Sequence, residues 1–281
     1  MNIKVRSVRS TLASLSLLCI WSSQLGAQSA TRVAAPAPHA PVQFHEPAPL
    51  QFEDHTGFEQ IFDGHSLADW EGDPSVWRVE DGAIVGESSA LHPVFNTYIW
   101  RKGLVVKNFD LKLEIKCEIG GGSGIQYRSQ TGLPWIRPLH AGEKPRNLNW
   151  MMTGPQADIW FPVNPQAASY TGQFYSENTP LGIIAWRGEV VNSKPGAAAQ
   201  LIGSVGDRAE LGGYVNINGW NQYEIIARGG VCIHILNGHV MAVLIDDDPA
   251  SSNNQPGKIG IELESTPAKV SVRNIWIRKL Q

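Results

Sequence analysis

The sequence predicts an all-β domain of the sandwich or barrel type, and three observations support this. Apolar and polar residues alternate with a period of two over several short segments, as in half-buried strands. The 281 residues include 28 glycines and 18 prolines, which suits a chain with many tight turns. No stretch has the pattern and caps of a long amphipathic helix, and no alternation of strands with helices is present.

The predicted strands lie mainly in the second half of the chain. Segment 110–117 alternates most clearly, with its leucines and isoleucine on one face and its charged residues on the other. Asn237-Gly238 predicts a two-residue hairpin turn, and a change of parity at Asn274 predicts a bulge in the last strand. The remaining strand patterns are 222–228, 231–236, 240–245, 258–264 and 270–277.

Two connections, 129–153 and about 187–219, are longer than simple hairpin loops. Structureless loops of more than about 12–15 residues are often functional. The first one carries Trp135, Arg137 and His140. These aromatic and basic groups suit a lid over a polar ligand, with Trp135 and His140 as substrate-binding candidates. The alternative is an ordered surface loop whose tryptophans pack down.

Residues 1–30 are predicted to be a secretory signal peptide. A basic start with Lys4 and Arg9 precedes the short apolar run Leu12–Trp21. That run is shorter than the roughly 20 residues that span a bilayer. We therefore expect export to the periplasm or outside the cell, with no transmembrane helix in the mature chain. A retained anchor is the alternative.

Residues 31–55 are rich in alanine and proline, which favours an extended linker. The folded domain is predicted to occupy residues 56–281 as one unit. The whole chain has a formal net charge of −3. This charge argues against a nucleic-acid partner, because phosphate binding needs a surplus of lysine and arginine. Cys117 and Cys232 either pair in an oxidising compartment or stay as separate buried thiols.

An ordered set of short motifs gives the domain a family resemblance. The motifs are Gly57–Gly64, Trp77–Ile84, Asn108–Leu111, Gly122–Arg128, Gly154–Ile159, Tyr170–Tyr175, Trp220–Tyr223, Leu236–Gly238 and Arg273–Ile277. Over residues 57–281 the chain resembles the 3-keto-disaccharide hydrolase domain family. The resemblance implies a concanavalin A-like jelly-roll sandwich of two antiparallel sheets with a concave sugar face. It also implies bacterial export and an oxidised carbohydrate as substrate, a glycoside with a ketone at carbon 3.

One motif departs from the family. Many members carry Gln-Leu-His in the penultimate strand, whereas this chain has Glu262-Leu263-Glu264. A role for that histidine cannot be transferred. Either Glu264 substitutes for it, or the site differs.

A ketone at carbon 3 acidifies the hydrogen on carbon 2, so that the glycosidic oxygen on carbon 1 can leave by elimination. Water then adds to the enone, and the net result is hydrolysis. Such a site needs a general base, a group that stabilises the enolate oxygen, and an acid for the leaving oxygen. An ordinary glycosidase instead needs two carboxyls, about 5–5.5 Å or roughly 6.5–9.5 Å apart.

Gln156 and Asp158 lie two residues apart on a predicted strand and therefore share a face. Asp158 is the first candidate for general base or metal ligand, and Gln156 for a donor to a sugar hydroxyl or oxyanion. An edge-strand aspartate that faces water is the alternative. Tyr175 and Glu177 share a face in the same way, which suits sugar stacking for Tyr175 and acid–base work for Glu177.

Arg128 is the candidate for holding the keto oxygen or the enolate, because its guanidinium is a fixed cation with a planar fork. Its alternative role is to pair with a neighbouring carboxylate. His234 lies in an apolar segment, which favours a core histidine. A single divalent cation would suit oxygen ligands, but the sequence does not locate its site, and the run Asp246–Asp248 fits a solvated turn better.

Two other functions use the same fold class: a non-catalytic carbohydrate-binding module and an ordinary two-carboxylate glycosidase. The chain contains no dinucleotide-binding fingerprint. An oxidoreductase that makes the 3-keto sugar would therefore be a separate protein.

Overall fold

The computed structural model describes residues 51–138, 147–161, 170–217, 219–264 and 266–281. Strands dominate this part of the chain, and its helices are short. The strands are β1 (Glu59–Gln60), β2 (Trp70–Gly72), β3 (Trp77–Glu80), β4 (Ala83–Ser88), β5 (Asn96–Arg101), β6 (Phe109–Ile119), β7 (Gly121–Thr131), β8 (Met152–Phe161), β9 (Phe174–Glu177), β10 (Gly182–Ala185), β11 (Glu189–Ser193), β12 (Gln200–Ser204), β13 (Asn221–Arg228), β14 (Val231–Leu236), β15 (His239–Asp246), β16 (Lys258–Glu264) and β17 (Ala268–Lys279). Helix α1 spans Arg208–Gly212, and 3₁₀ turns span Leu148–Trp150 and Ser252–Asn254.

The strands form two sheets packed face to face, which is the predicted all-β jelly-roll sandwich. The ten-stranded sheet has the order β12-β11-β15-β14-β13-β6-β17-β4-β3, with β1 added beside β17. The seven-stranded sheet has the order β10-β9-β8-β7-β16-β5-β2. Within the described residues the strand pairs are antiparallel, apart from β11 beside β15.

The core fills the space between the sheets, and the predicted alternation places it there. Leu111, Leu113 and Ile115 of β6 are at most 1% exposed, as are Ile261 and Leu263 of β16. Each buried leucine or isoleucine contributes about 1.5–3 kcal/mol relative to an exposed one. Because one face of each strand is committed to the core, a one-residue slip would bury the polar face, and the register is therefore fixed.

Two local predictions in the second half are confirmed. Asn237 and Gly238 have φ angles of 50° and 79° and connect the paired residues Leu236 and His239, so the hairpin turn has two residues. Asn274 has φ 51° at the point where β17 changes register against β6, which is the predicted bulge.

The two cysteines of the domain are separate thiols rather than a disulfide. Burial raises the pKa of Cys117 to about 12 and that of Cys232 to about 11. Among the described residues, no helix is both long enough and apolar enough to cross a membrane.

Candidate functional site

The candidate site lies on the outer face of the seven-stranded sheet, the face turned away from the core. In β8 the side chains of Ala157 and Ile159 enter the core, so strand alternation turns Gln156 and Asp158 outward. Both outward side chains are nevertheless only 2–3% exposed. Polar groups this deeply buried need hydrogen-bond partners, and the neighbouring strands supply them.

Strand register brings residues from four strands into one row. Tyr98 of β5 is paired with Glu262 of β16, and Gly124 of β7 is paired with Asp158 of β8. Because Ile261 faces Ile125 between β16 and β7, the next position in that register sets Glu262 beside Gly124. Two carboxyls therefore flank a glycine across three adjacent strands.

The glycine makes room for an amide that joins the two carboxyls. The Gln156 Nε2 atom donates to Asp158 Oδ1 at 2.8 Å and to Glu262 Oε2 at 2.6 Å. Its side chain reaches both by lying across Gly124, where a Cβ atom would overlap the Gln156 amide. The Oε1 atom of the same amide accepts a hydrogen bond from Gln126, which fixes its orientation.

Glu262 is the carboxyl of the pair with the larger number of donors. Besides Gln156, it accepts hydrogen bonds from Tyr98 Oη at 2.5 Å and from Asn96 Nδ2 at 2.7 Å, both at Oε1. Several donors directed at one carboxyl favour its charged form. The same burial and the nearby carboxylates raise the pKa of Tyr98 well above its usual value, so the phenol keeps the proton that it donates.

Asp158 is the carboxyl of the pair whose pKa is raised. Burial raises the pKa of Asp158 well above its usual value, and the charges of Glu262 and Glu177 raise it further. Hydrogen bonds from the Gln173 and Gln156 amides oppose this shift without cancelling it. A carboxyl with a raised pKa is suited to donate a proton to a substrate.

These groups form the floor of a depression of about 110 Å³. The residues around it are Gln156, Asp158, Trp160, Tyr170, Gln173, Tyr175, Glu177, Ile183, Glu262 and Glu264. The rings of Trp160 and Tyr170 stand at its side with centroids 5.0 Å apart. Partly exposed aromatic rings beside buried polar groups are typical of sites that bind sugars or other polar small molecules.

The phenol oxygen of Tyr175 is hydrogen-bonded to an arginine side chain. Arg137 donates a hydrogen bond to that oxygen, and its guanidinium lies 5.0 Å from the centroid of the tyrosine ring. Burial, and next the charge of Glu177, raises the pKa of Tyr175. The phenol therefore stays protonated, and its O–H remains able to donate to a ligand oxygen.

Four of the predicted site residues come together here: Asp158, Glu177, Gln156 and Tyr175. Trp135 is not among the residues that line the depression; it packs on a separate small cluster that contains Tyr98, the donor to Glu262. His140 lies outside the described residues.

Arg128 is the exception, and the structure does not support its predicted catalytic role. Its side chain is 1% exposed and donates to the carbonyl oxygens of Lys107 at 2.7 Å, Asn253 at 2.6 Å and Gly229 at 2.9 Å. Gln126 and Arg128 alternate with Ile125 and Tyr127 in the sequence, which predicts that the Gln126 and Arg128 side chains share the outer face of the sheet. Arg128 departs from this pattern because it has φ 52° at a register shift between β7 and its neighbours. That bulge turns the side chain toward the end of the other sheet, where it ties three loops together.

Three residues of the site, Glu262, Gln173 and Arg137, had no predicted chemical role. The departure at Glu262-Leu263-Glu264 was a usable signal, because both glutamates line the depression. Gln173 precedes β9 in a turn, and Arg137 lies in the long loop, so strand periodicity could identify neither.

The described residues contain no group of three or more histidine, cysteine, aspartate or glutamate side chains arranged to hold a metal ion. The predicted divalent cation stays a prediction. His234 lies in the core, stacked on Phe174 with ring centroids 3.6 Å apart, and burial lowers its pKa to about 3.

Comparison with known proteins gives this geometry a family. The sequence pattern of the 3-keto-alpha-glucoside-1,2-lyase-like domain matches residues 57–278. The chain belongs to this family. Membership makes the protein a carbohydrate-active, glycosyl-hydrolase-like jelly-roll protein. Among curated proteins, none matches the chain.

Solved structures share the fold at low sequence identity. A Bacillus subtilis protein of unknown function with a galectin-like fold has a TM-score of 0.50 and 12% identity, covering 76% of this chain and 90% of that one. A protein provisionally assigned as a glycosyl hydrolase from Parabacteroides distasonis ATCC 8503 has a TM-score of 0.49 and 19% identity, covering 83% and 99%. The carbohydrate-binding module CBM66 from Bacillus subtilis has a TM-score of 0.45 and 13% identity, covering 75% and 96%.

Proposed function

We propose that the protein is an exported enzyme that cleaves the glycosidic bond of 3-keto-glycosides by elimination followed by hydration. The family to which the chain belongs is named for a 1,2-lyase acting on 3-keto-alpha-glucosides. The observation that carries the proposal is the pair of buried carboxyls on the floor of the depression, Asp158 and Glu262, which share the Gln156 amide and of which Asp158 has a raised pKa.

Asp158 is the proposed acid. Its proton goes to the glycosidic oxygen as the bond from that oxygen to carbon 1 breaks. Glu262, fixed by its three donors, keeps Asp158 protonated before the reaction through charge repulsion. The strand pattern made Asp158 a candidate for general base or metal ligand. Its burial and the charge of Glu262 raise its pKa, and this supports the role of acid instead.

Glu177 is the proposed base. It lines the same depression, is 5% exposed and is close enough for its charge to act on Asp158 and Tyr175. It takes the proton from carbon 2, and the electron pair of that bond forms the enolate. The Tyr175 phenol, with Arg137 bonded to its oxygen, donates to the enolate oxygen at carbon 3.

The second half returns both protons. Expulsion of the leaving group gives an enone with a double bond between carbons 1 and 2. Water adds at carbon 1, and Asp158, now a carboxylate, takes the proton from that water. Glu177 gives its proton back to carbon 2. The sum is hydrolysis, with both carboxyls restored.

The test is turnover of a 3-keto-disaccharide and of its unoxidised parent by the wild type and by Asp158→Asn. We expect turnover of the keto sugar alone and a decrease in kcat/KM of about 10²–10⁴-fold in the variant. Asp246→Asn is the matched control, because Asp246 is equally buried, at 1% exposed, but does not line the depression. In D₂O the released keto sugar should gain deuterium at carbon 2 faster than by spontaneous exchange, because the Glu177 proton can exchange with solvent at the enone stage, when water enters the site.

Other outcomes separate the alternatives. Equal turnover of both sugars would favour an ordinary glycosidase. Sugar binding without turnover would favour a carbohydrate-binding module. Unchanged turnover after chelation of divalent ions would refute the predicted cation, and an unprocessed N-terminus on the protein made in its host would refute export with signal removal.

A further inference from the structure

A second cavity, of about 400 Å³, lies on the opposite side of the molecule, on the outer face of the ten-stranded sheet. It is lined by Phe52, Gln222, Glu224, Ile235, Asn237 and Gly238. This volume falls in the usual range of small-molecule sites, about 300–1,000 Å³. Nothing in the proposed reaction uses this face.

Glu224 is the buried charge of this cavity, with 6% exposure. Strand register places it between Ile235 of β14 and Lys112 of β6. Lys112 would be its natural partner, but the lysine Nζ atom instead donates to the carbonyl oxygens of Gln51 and Asp54, both at 3.0 Å. The Lys112 ammonium therefore binds the backbone of segment 51–58, which crosses this face of the sheet.

The other nearby cation is also engaged. Arg278 of β17 donates to Asp110 Oδ2 at 2.8 Å, and its guanidinium lies 4.6 Å from the ring centroid of Phe58. Asp110 of β6 therefore has a cation of its own, whereas Glu224 has no ion pair within the described residues. Burial raises the pKa of Glu224 to about 7, and both the charge of Asp110 and a hydrogen bond between the two carboxyls raise it further, against the weaker opposing charges of Lys112 and Arg278. Glu224 and Asp110 thus form an acidic pair at the edge of the cavity.

The remaining polar groups of the cavity offer more acceptors than donors. Gln222 Nε2 donates one of its two N–H groups to Glu53 Oε1 at 3.0 Å, and Asn237 Nδ2 donates to the Tyr214 carbonyl oxygen at 2.7 Å and to Asn221 Oδ1 at 2.9 Å. Asn237 Oδ1 accepts from the backbone N–H of Gln222. The Glu224 carboxyl and the Gln222 amide line the cavity beside the apolar Phe52 ring.

We propose that this cavity binds an amine-bearing sugar, with the ligand ammonium against Glu224 and one face of the sugar ring against Phe52. A buried acidic pair whose neighbouring lysine donates to backbone carbonyls, next to an aromatic face, complements a ligand that brings a positive charge and hydrogen-bond donors. The proposal is independent of the reaction at Asp158.

The test uses 6-amino-6-deoxyglucose as probe and glucose as its neutral match, titrated into the full chain by calorimetry at pH 6 and pH 8. We expect the amine to bind at least about tenfold more tightly than glucose at pH 8. The preference should shrink at pH 6, because Glu224 takes up a proton there while a primary ammonium stays charged at both pH values. Asp54 of the crossing segment stays ionised at both, because hydrogen bonds from Thr56 lower its pKa.

Glu224→Gln keeps the shape of the side chain and should reduce amine affinity about tenfold or more without changing glucose affinity. Phe52→Ala removes a partly exposed ring and should weaken both sugars; it tests the cavity even if Glu224→Gln fails to fold. Equal binding of the two sugars would overturn the proposal. So would amine binding that survives in both variants, or binding that is lost in Asp158→Asn, which would place the sugar in the other depression.

Discussion

Gly124→Ala is the substitution that tests most directly how the carboxyl pair is held. A Cβ atom at this position would overlap the Cγ, Cδ and Nε2 atoms of Gln156. The glycine lies inside β7 without a left-handed backbone, so an alanine meets no conformational strain there. The three atoms nearest to the added Cβ all belong to the Gln156 side chain, which would have to leave the space between Asp158 and Glu262.

The size of the effect follows from the three hydrogen bonds that the Gln156 amide would lose. The bond to the Glu262 carboxylate is worth about 1.5–3 kcal/mol, and the bonds to Asp158 and from Gln126 about 1 kcal/mol each. Against this loss, replacing a strand glycine by alanine gains roughly 0.5–1 kcal/mol. We expect the free energy of unfolding to decrease by about 3 kcal/mol, and turnover to decrease because Asp158 loses a fixed neighbour.

Urea unfolding measures the first quantity, and turnover of the 3-keto-disaccharide measures the second. Gly203→Ala is the matched control: Gly203 is also a strand glycine, and its added Cβ would meet Val190 at an ordinary 3.7 Å. In a Gln156→Ala background, Gly124→Ala should cost nothing further, because its steric partner is gone. Equal stability of Gly124→Ala and wild type, or additive costs in the double variant, would refute the reasoning.

Three further predictions concern other parts of the chain. Arg128→Met should decrease the free energy of unfolding by about 3 kcal/mol or more, since three buried carbonyls lose their donor, yet leave kcat of the folded fraction unchanged; a lower kcat at full folding would restore a catalytic role. The pKa of Glu224 is raised to about 7 in the folded protein, from 4.5. The contribution of Glu224 to stability is therefore complete below pH 4.5 and is lost as the pH rises through 7. Glu224→Gln should flatten the fall in Tm between pH 5 and pH 8, and an unchanged slope would contradict this. Tyr175→Phe should lower kcat with little change in KM, and the opposite split would show that the phenol only binds substrate.

The sequence could predict the fold because its information is local. Alternation in 110–117 and 258–264 assigns one face of each strand to the core, and the Asn237-Gly238 turn and the Asn274 bulge announce themselves through residues that tolerate left-handed backbone. The same alternation correctly placed Gln156 with Asp158, and Tyr175 with Glu177. Every one of these inferences needed only residues within a few positions of each other.

The remaining parts of the site depend on relations that a single strand does not contain. Glu262 meets Asp158 only through the register of three strands, and Gln156 reaches both only because Gly124 between them has no side chain. Arg128 shows the converse. In a regular strand its side chain would lie on the same face as that of Gln126, two residues earlier. The left-handed backbone of Arg128 turns the side chain to the other side of the sheet.

That reversal has a chemical consequence for where the positive charge of the site comes from. A reaction through an enolate needs a cation or a strong donor near carbon 3, and strand β7 does not supply it, because Arg128 serves the loops. In the proposed reaction the charge comes instead from Arg137, in a loop, through the phenol of Tyr175. The tyrosine hydroxyl then stands between the guanidinium and the enolate oxygen, so that the enolate meets an O–H donor that the cation polarises. A donor of this kind lets a residue from a loop take part in chemistry on a sheet face whose own strands supply mainly carboxyls and amides.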